Sequence, residues 1–238
     1  MRLLSIQAGR PQALGRAAAC DWWERPWTTG FCKQPVTGPV RLGRANLAGD
    51  EQADRRHHGG PDKAVNAYPA EHYAFWQREL GLPELARPAF GENFTTAGLL
   101  EAEVCIGDVL ALGTAVVQLS QPRQPCWKLS RRWRIPDLAW RVQQSGRTGW
   151  YVRVLREGEI EAGQSFELIE RPYPQWTVAA ANDVMHVRVH DLAAARALAD
   201  CPALAASWCE SLARRAATGQ IGDASARLTD PEAPRELA

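Results

Sequence analysis

Val104–Ser120 reads VCIGDVLALGTAVVQLS, three apolar segments (Val104–Ile106, Val109–Leu112 and Thr114–Ser120) divided by Gly107-Asp108 and Gly113. Each segment is too short for a helix and leans on β-branched residues, and the glycines supply turns, so the spacing predicts three consecutive strands. Upstream, Met1–Ala8, Pro39–Leu42 and Lys63–Tyr68 have the same character, and downstream Trp150–Leu155 and Ser165–Glu170 flank the turn Arg156-Glu157-Gly158. Many short strands with glycine turns predict a barrel or a curled sheet. Pro69–Leu80 reads instead as a helix, with Glu71 in its first turn, Tyr73, Trp76 and Leu80 on one face, and Gly81 as its stop.

The composition changes at Arg171-Pro172-Tyr173-Pro174. The Ala/Leu/Arg-rich chain beyond it predicts three helices: one capped by Thr177 and running to about Met185, Leu192–Ala199 capped by Asp191, and one opened by Pro202 that stops before Gly219. The expected fold class is therefore α+β, mainly β. A barrel-like domain with inserted helices spans residues 1–171, a small three-helix domain spans 172–220, and a polar tail, 221–238, is expected to fray. So few helical residues do not hold a core of their own, which predicts that they dock on the barrel.

The 238 residues carry a formal net charge of +1, so a general polyanion binder is excluded and any anion site must be local. No apolar run approaches the roughly 18–20 residues that span a bilayer. The apolar start of MRLLSIQAGR breaks after four residues and reads as a first strand rather than a signal peptide. The six cysteines include no CxxC pair and no zinc spacing, and reduced thiols in a cytoplasmic protein are expected. Ten tryptophans against five phenylalanines exceed what any one site needs, so most are expected in packing.

Three segments carry chemistry. Gly49–Ala64 holds seven charged residues and two histidines around Gly59-Gly60-Pro61. The glycine pair lets backbone N–H groups approach an anion, and His58, Asp62 and Lys63 can converge on it; equally, these charges can pair with one another in solvent. Ser120–Leu129, SQPRQPCWKL, places Cys126 at a predicted helix start beside Arg123 and Lys128, where thiolate is favoured over thiol. Such a thiolate is a nucleophile, a redox sensor or a soft-metal ligand. The other five cysteines are read as packing residues. Phe90–Thr96 offers Glu92 and Asn93 at a strand start, to orient a ligand or to bridge backbone groups. Arg131, Arg132 and Arg134 around Trp133 superficially look like a nucleic-acid patch, but with Lys128 they make four cations in seven residues, which fit a phosphate-pocket rim or a solvated helix face.

Taken in order, GDEQADRRHHGGPDKAV, AYPAEHYAFW, FGENFTTAGL, VCIGDV, SQPRQPCWKL and SGRTGWYVRVL resemble the MOSC-domain family of the YiiM type, from about Thr29 to Thr218. The resemblance implies a MOSC-type β-barrel-like fold with a small helical domain, and a molybdenum–pterin cofactor (Moco); pyridoxal phosphate is not expected. It assigns Cys126 as the molybdenum ligand, with His58 and Asp62 as its catalytic partners, His58 donating protons and Asp62 orienting it. Lys63, Gly60, Arg123, Lys128, Asn93 and Glu92 become cofactor-binding candidates. His57, where the family usually has an apolar residue, leaves open which histidine faces the site. The turn around Trp22–Trp27 has no counterpart in the resemblance.

The activity implied is reduction of N-hydroxylated compounds, including base analogues such as 6-N-hydroxylaminopurine, to amines. A separate electron-donating reductase is the implied partner, with no membrane or nucleic acid, and a homodimer is expected. The alternative is a sulfur carrier or transferase, or a cofactor carrier, acting through a persulfide or thiolate on Cys126.

Overall fold

The computed structural model describes residues 1–234. Twelve strands appear in chain order: β1 (Arg2–Ala8), β2 (Gln12–Leu14), β3 (Trp27–Thr29), β4 (Gln34–Val36), β5 (Val40–Leu42), β6 (Val65–Pro69), β7 (Phe94–Ala97), β8 (Val109–Leu112), β9 (Ala115–Pro122), β10 (Trp150–Arg156), β11 (Gly158–Ile160) and β12 (Glu167–Glu170). The helices are α1 (Arg55–His58), α2 (Glu71–Leu80), α3 (Trp127–Trp133), α4 (Leu138–Ser145), α5 (Val178–His186), α6 (Leu192–Ala199), α7 (Ala206–Thr218) and α8 (Ser225–Leu228).

Eight strands form one sheet in the order β12-β8-β9-β10-β6-β7-β1-β4, antiparallel except for β6 beside β7. The sheet curls until one end, at β12, comes round to β1, the strand next to β4 at the other end. Leu3 N donates to Gln164 O (2.9 Å) and Phe166 N to Met1 O (2.9 Å), so β1 bonds to the segment that leads into β12. Closure removes most exposed strand edge and encloses a core that includes Leu3, Ile6, Phe94, Val117, Leu119 and Val152. A second cluster, with Tyr68, Trp76, Phe90, Leu129 and Val142, binds α2, α3 and α4 to the outside.

Two of the three expected strands in Val104–Ser120 form, as β8 and β9. Val104–Ile106 does not join them; it pairs with the linker into the C-terminal helices. Ile106 N donates to Trp176 O (2.8 Å) and Val178 N to Val104 O (2.9 Å). Pro69, expected in the first turn of a helix, ends β6, and α2 starts at Glu71. Thr177 and Asp191 do cap α5 and α6, accepting from Ala180 N (3.0 Å) and Ala194 N (2.9 Å).

The helices dock as the small-core argument requires: Val178, Val184, Leu198, Leu204, Trp208 and Leu212 lie in the same cluster as the barrel interior. The expectation of a frayed tail is not met over residues 221–234. Gly219 ends α7 in the left-handed region (φ 70°), the chain turns back, and Asp230 forms a buried ion pair with Arg131 (3.1 Å). Residues 235–238 lie outside the described chain. Among the described residues, no helix is long and apolar enough to cross a membrane.

Candidate active site

β9 and β10 carry the chain to the site. Arg123 N donates to Gly149 O (3.1 Å) just past the end of β9, and after Gln124-Pro125 the chain enters α3 with Cys126 as its N-terminal capping residue. Opposite it, Asp54 caps the single turn α1 by accepting from Arg56 N (3.0 Å) and His57 N (3.2 Å), and this turn ends on His58. Gly60, at φ 96°, then reverses the chain into a 3₁₀ turn, Pro61–Lys63, at a backbone conformation that an L side chain would strain.

His58 and Cys126 meet in a two-chambered cleft. An inner chamber of about 80 Å³ opens into an outer one of about 600 Å³, and Asp54, His58, Lys63, Cys126, Lys128 and Tyr151 line both. Burial by itself raises the Cys126 thiol. A hydrogen bond and positive charge from His58, the charge of Arg123 and the backbone N–H of Lys128 outweigh it, bringing the thiol from an ordinary 9.0 down to about 7. Alkylation of Cys126 should therefore rise through pH 7. His58→Gln should move that midpoint up, each unit removing about tenfold of the thiolate present below it. A pH–rate profile with iodoacetamide checks both, and an unmoved midpoint would detach His58 from the thiol.

The cations of the inner chamber are partly committed. Lys63 Nζ donates to His57 O (2.7 Å) and Lys128 Nζ to Thr28 O (2.8 Å), and each ammonium keeps further donors. Burial lowers Lys63, against the nearby carboxylates of Asp62 and Asp54. Arg123 is 5% exposed, and its Nη1 has no partner among the described residues. Asn66 Oδ1 and Asp50 Oδ2, on residues that line the same chamber, are buried and unpartnered too. Buried polar atoms are normally satisfied, so one donor and two acceptors left open around one chamber describe the complement of a polar ligand. Asn93 also lines the chamber, but its amide is spent on Asn66 N (3.2 Å) and Gln7 O (3.1 Å).

Several candidates fall elsewhere. Asp62 lines neither chamber; its Oδ1 accepts from Arg153 Nε (2.9 Å) and its Oδ2 from Ala206 N (3.2 Å), so it ties the loop to β10 and α7 instead of orienting His58. Glu92 is wholly buried beneath the sheet rim, held by Tyr73 Oη, Phe90 N (3.1 Å) and Thr95 Oγ1 (3.2 Å), and burial raises its carboxyl. Gly60 places Lys63 but lines neither chamber. His57 Nδ1 bonds Asp54 Oδ2 (2.8 Å) on the exposed side, which leaves His58 as the histidine at the thiol. Arg131 is 3% exposed and Arg134 pairs with Glu24 (3.3 Å), and neither lines the Cys126 cleft.

Sequence reasoning missed the buried pair Lys33–Asp50 in the inner chamber. It missed Tyr151 as well, whose phenol is raised by burial against the pull of the Arg123 guanidinium beside it. Alternation along β10 was the available signal for Tyr151. Lys33 carried none, and Asp50, although it belongs to the charged Gly49–Ala64 segment, pairs with a lysine that it meets only in the fold.

Residues 54–167 match the MOSC domain and residues 176–219 the YiiM-like 3-alpha helix domain. The chain is 44% identical to Bacillus subtilis YflK, covering 90% of this chain and 93% of that one, and 39% identical to Escherichia coli YiiM, covering 84% and 90%. The crystal structure of E. coli YiiM superimposes with a TM-score of 0.79 at 32% identity, over 97% of this chain and 100% of that one. The chain belongs to the MOSC family, of the YiiM type. It is also similar, at 38% identity over 85% of its length, to a Gibberella moniliformis protein called a reductase, of which the match covers 35%. In this YiiM-type chain both matched regions contribute to the cleft, the MOSC domain through His58 and Cys126 and the helical domain through Met185, Ser207, Trp208 and Ser211.

Proposed function

We propose that this chain is an oxidoreductase that uses a molybdenum–pterin cofactor to reduce N-hydroxylated compounds, hydroxylated base analogues among them, to amines. The observation that carries the reading is the buried Cys126 thiol, brought to about 7 beside His58 and Arg123, next to a chamber with unmet hydrogen-bonding capacity. The donor set suits such a group. Cys126 offers a soft ligand, Arg123 Nη1 and the spare donors of Lys63 and Lys128 suit a phosphate, and Asn66 Oδ1 and Asp50 Oδ2 suit ring N–H groups. The inner chamber alone is too small for a pterin, so a bound cofactor would extend into the outer one.

When bound, the cofactor supplies a two-electron redox centre. The reaction consumes two electrons and two protons, breaks the N–O bond, and releases amine and water. His58 lines both chambers beside Cys126, where its imidazole can pass a proton between the sulfur and the outer one. Lys63 and Arg123 bind, and Tyr151 and the 8% exposure of Cys126 keep water from the sulfur. A reductase in trans would supply electrons.

The test is protein made in a host that synthesises the cofactor, assayed for molybdenum, pterin and viologen-driven reduction of 6-N-hydroxylaminopurine. Stoichiometric metal with turnover is expected. Metal that passes to an apo-enzyme acceptor without turnover would put the carrier reading in its place. Arg123→Ala and Lys63→Ala should each weaken cofactor retention by about 1.5–3 kcal/mol, roughly ten- to a hundredfold, while the bound fraction turns over normally. Normal retention with lost turnover would move that residue to the substrate or proton path.

A further inference from the structure

The turn around Trp22–Trp27 and the polar segment 220–234 meet on α3, directly behind Cys126. Arg131 is their hub. One nitrogen of its guanidinium bonds the Asp230 carboxylate (3.1 and 3.3 Å), and the other donates to the carbonyls of Trp22 (2.9 Å) and Arg25. The group lies against the rings of Trp27 and Trp127, 5.6 and 5.9 Å from their centroids. Further out, Arg25 pairs with Glu232 (2.9 Å), joining the two terminal segments to each other. From this anchor α8 reaches the cleft. Arg227 donates to Pro125 O, the carbonyl that immediately precedes Cys126, and to Gln143 Oε1 (2.6 Å) on α4. Asp223, Ala226 and Arg227 all line the outer chamber.

We propose that these two segments form a clasp that walls the Cys126 cleft, with Arg227 as a positioning residue that fixes the Pro125–Cys126 peptide and limits what reaches the thiol. The proposal rests on Cys126 as the working group of the function above. A one-turn helix such as α8 does not hold itself in water, so its place depends on the anchor at Asp230 and on the two bonds of Arg227. The sequence is consistent with that role, since nothing in 220–234 has the apolar periodicity of a docking helix.

The experiment alkylates the full-length protein without cofactor, comparing iodoacetamide with a bulky maleimide and measuring modification at Cys126 by peptide mass spectrometry. Arg227→Ala and Asp230→Asn should each raise the maleimide rate at least tenfold and the iodoacetamide rate much less, because a clasp gates by size. Arg227→Lys, which can still donate to Pro125 O, should recover part of the difference. In cofactor-loaded protein, Arg227→Ala should also raise KM for a small substrate less than it lowers kcat. If Asp230→Asn does not fold, Arg227→Ala carries the test alone, since it strands no buried charge. Wild-type selectivity between the two reagents in a folded Arg227→Ala protein would overturn the clasp. Alkylation needs no cofactor, so that result would stand apart from any failure of the molybdenum reading.

Discussion

Cys126→Ser is expected to abolish turnover and to lose molybdenum while leaving the fold intact. The hydroxyl is nearly isosteric with the thiol, but at neutral pH it stays protonated and is a hard, poor ligand for a soft metal. The thiol, by contrast, is brought to about 7 by its surroundings, so that a large fraction is already thiolate. Stability separates the two effects. Cys126 occupies the capping position of α3 in extended conformation (φ −127°, ψ 165°) and makes no side-chain capping bond. Serine is among the best residues at such a position, so the variant should melt at or slightly above the wild-type temperature. Thermal melting, metal content and viologen-driven turnover together check the prediction. A serine variant with full metal and full turnover would remove Cys126 from the chemistry, and one that unfolds would mean that the thiol is chiefly a packing group.

The parts of this site that were legible in the sequence are those where function and local geometry coincide. Cys126 stood out because a thiol at a helix start between Arg123 and Lys128 is unusual chemistry in a short stretch. His58 and Lys63 stood out because the Gly59-Gly60 pair marks a place where the backbone turns sharply. The same reasoning placed Asp62 with them, three residues from either glycine at most, yet its carboxylate is captured by Arg153 and by the start of α7. Glu92 was likewise close in sequence to a plausible site, and a tyrosine, a threonine and a backbone N–H take up its oxygens. Proximity along the chain cannot report which partner wins a carboxylate, because the winners are 91 and 144 residues away in the first case.

The terminal segments show the same limit on a larger scale. Residues 220–234 lack the apolar periodicity that predicts docking, and polar composition with two prolines is the usual mark of a loose end. Their attachment comes from charged and hydrogen-bonding groups, Asp230, Glu232 and Arg227, whose partners Arg131, Arg25 and Pro125 belong to other parts of the fold. The longer strands, by contrast, were legible, since alternation and glycine turns are local, whereas β2, β3, β4 and β11, three residues each, were not read from the sequence. At Val104–Ile106 the strand-like pattern was real but its partner was the linker at 176–178.

Truncation after Glu170 is expected to yield aggregated protein, and the reason lies in where the core runs. No boundary in the packing separates the barrel from the helices: Val104, Ile106, Val117 and Leu119 share one cluster with Val178, Val184, Leu198, Leu204, Trp208 and Leu212. Backbone bonds cross as well, from Ala205 N to Ser120 O (2.9 Å) and from Val178 N to Val104 O (2.9 Å). Leaving even three barrel side chains facing water costs about 1.5–3 kcal/mol each, which is comparable with the roughly 5–15 kcal/mol that holds a whole domain folded. The cut also removes Ser207, Trp208 and Ser211 from the outer wall of the cleft, so a barrel that survived would present Cys126 to solvent. Light scattering and circular dichroism on the truncated chain, beside the full-length protein, check the expectation. A soluble, cooperatively melting fragment that still retained molybdenum would show that the helices are an appendage, and would move their purpose from holding the core to docking a reductase. Activity with an artificial donor but not with the natural one would then be its signature.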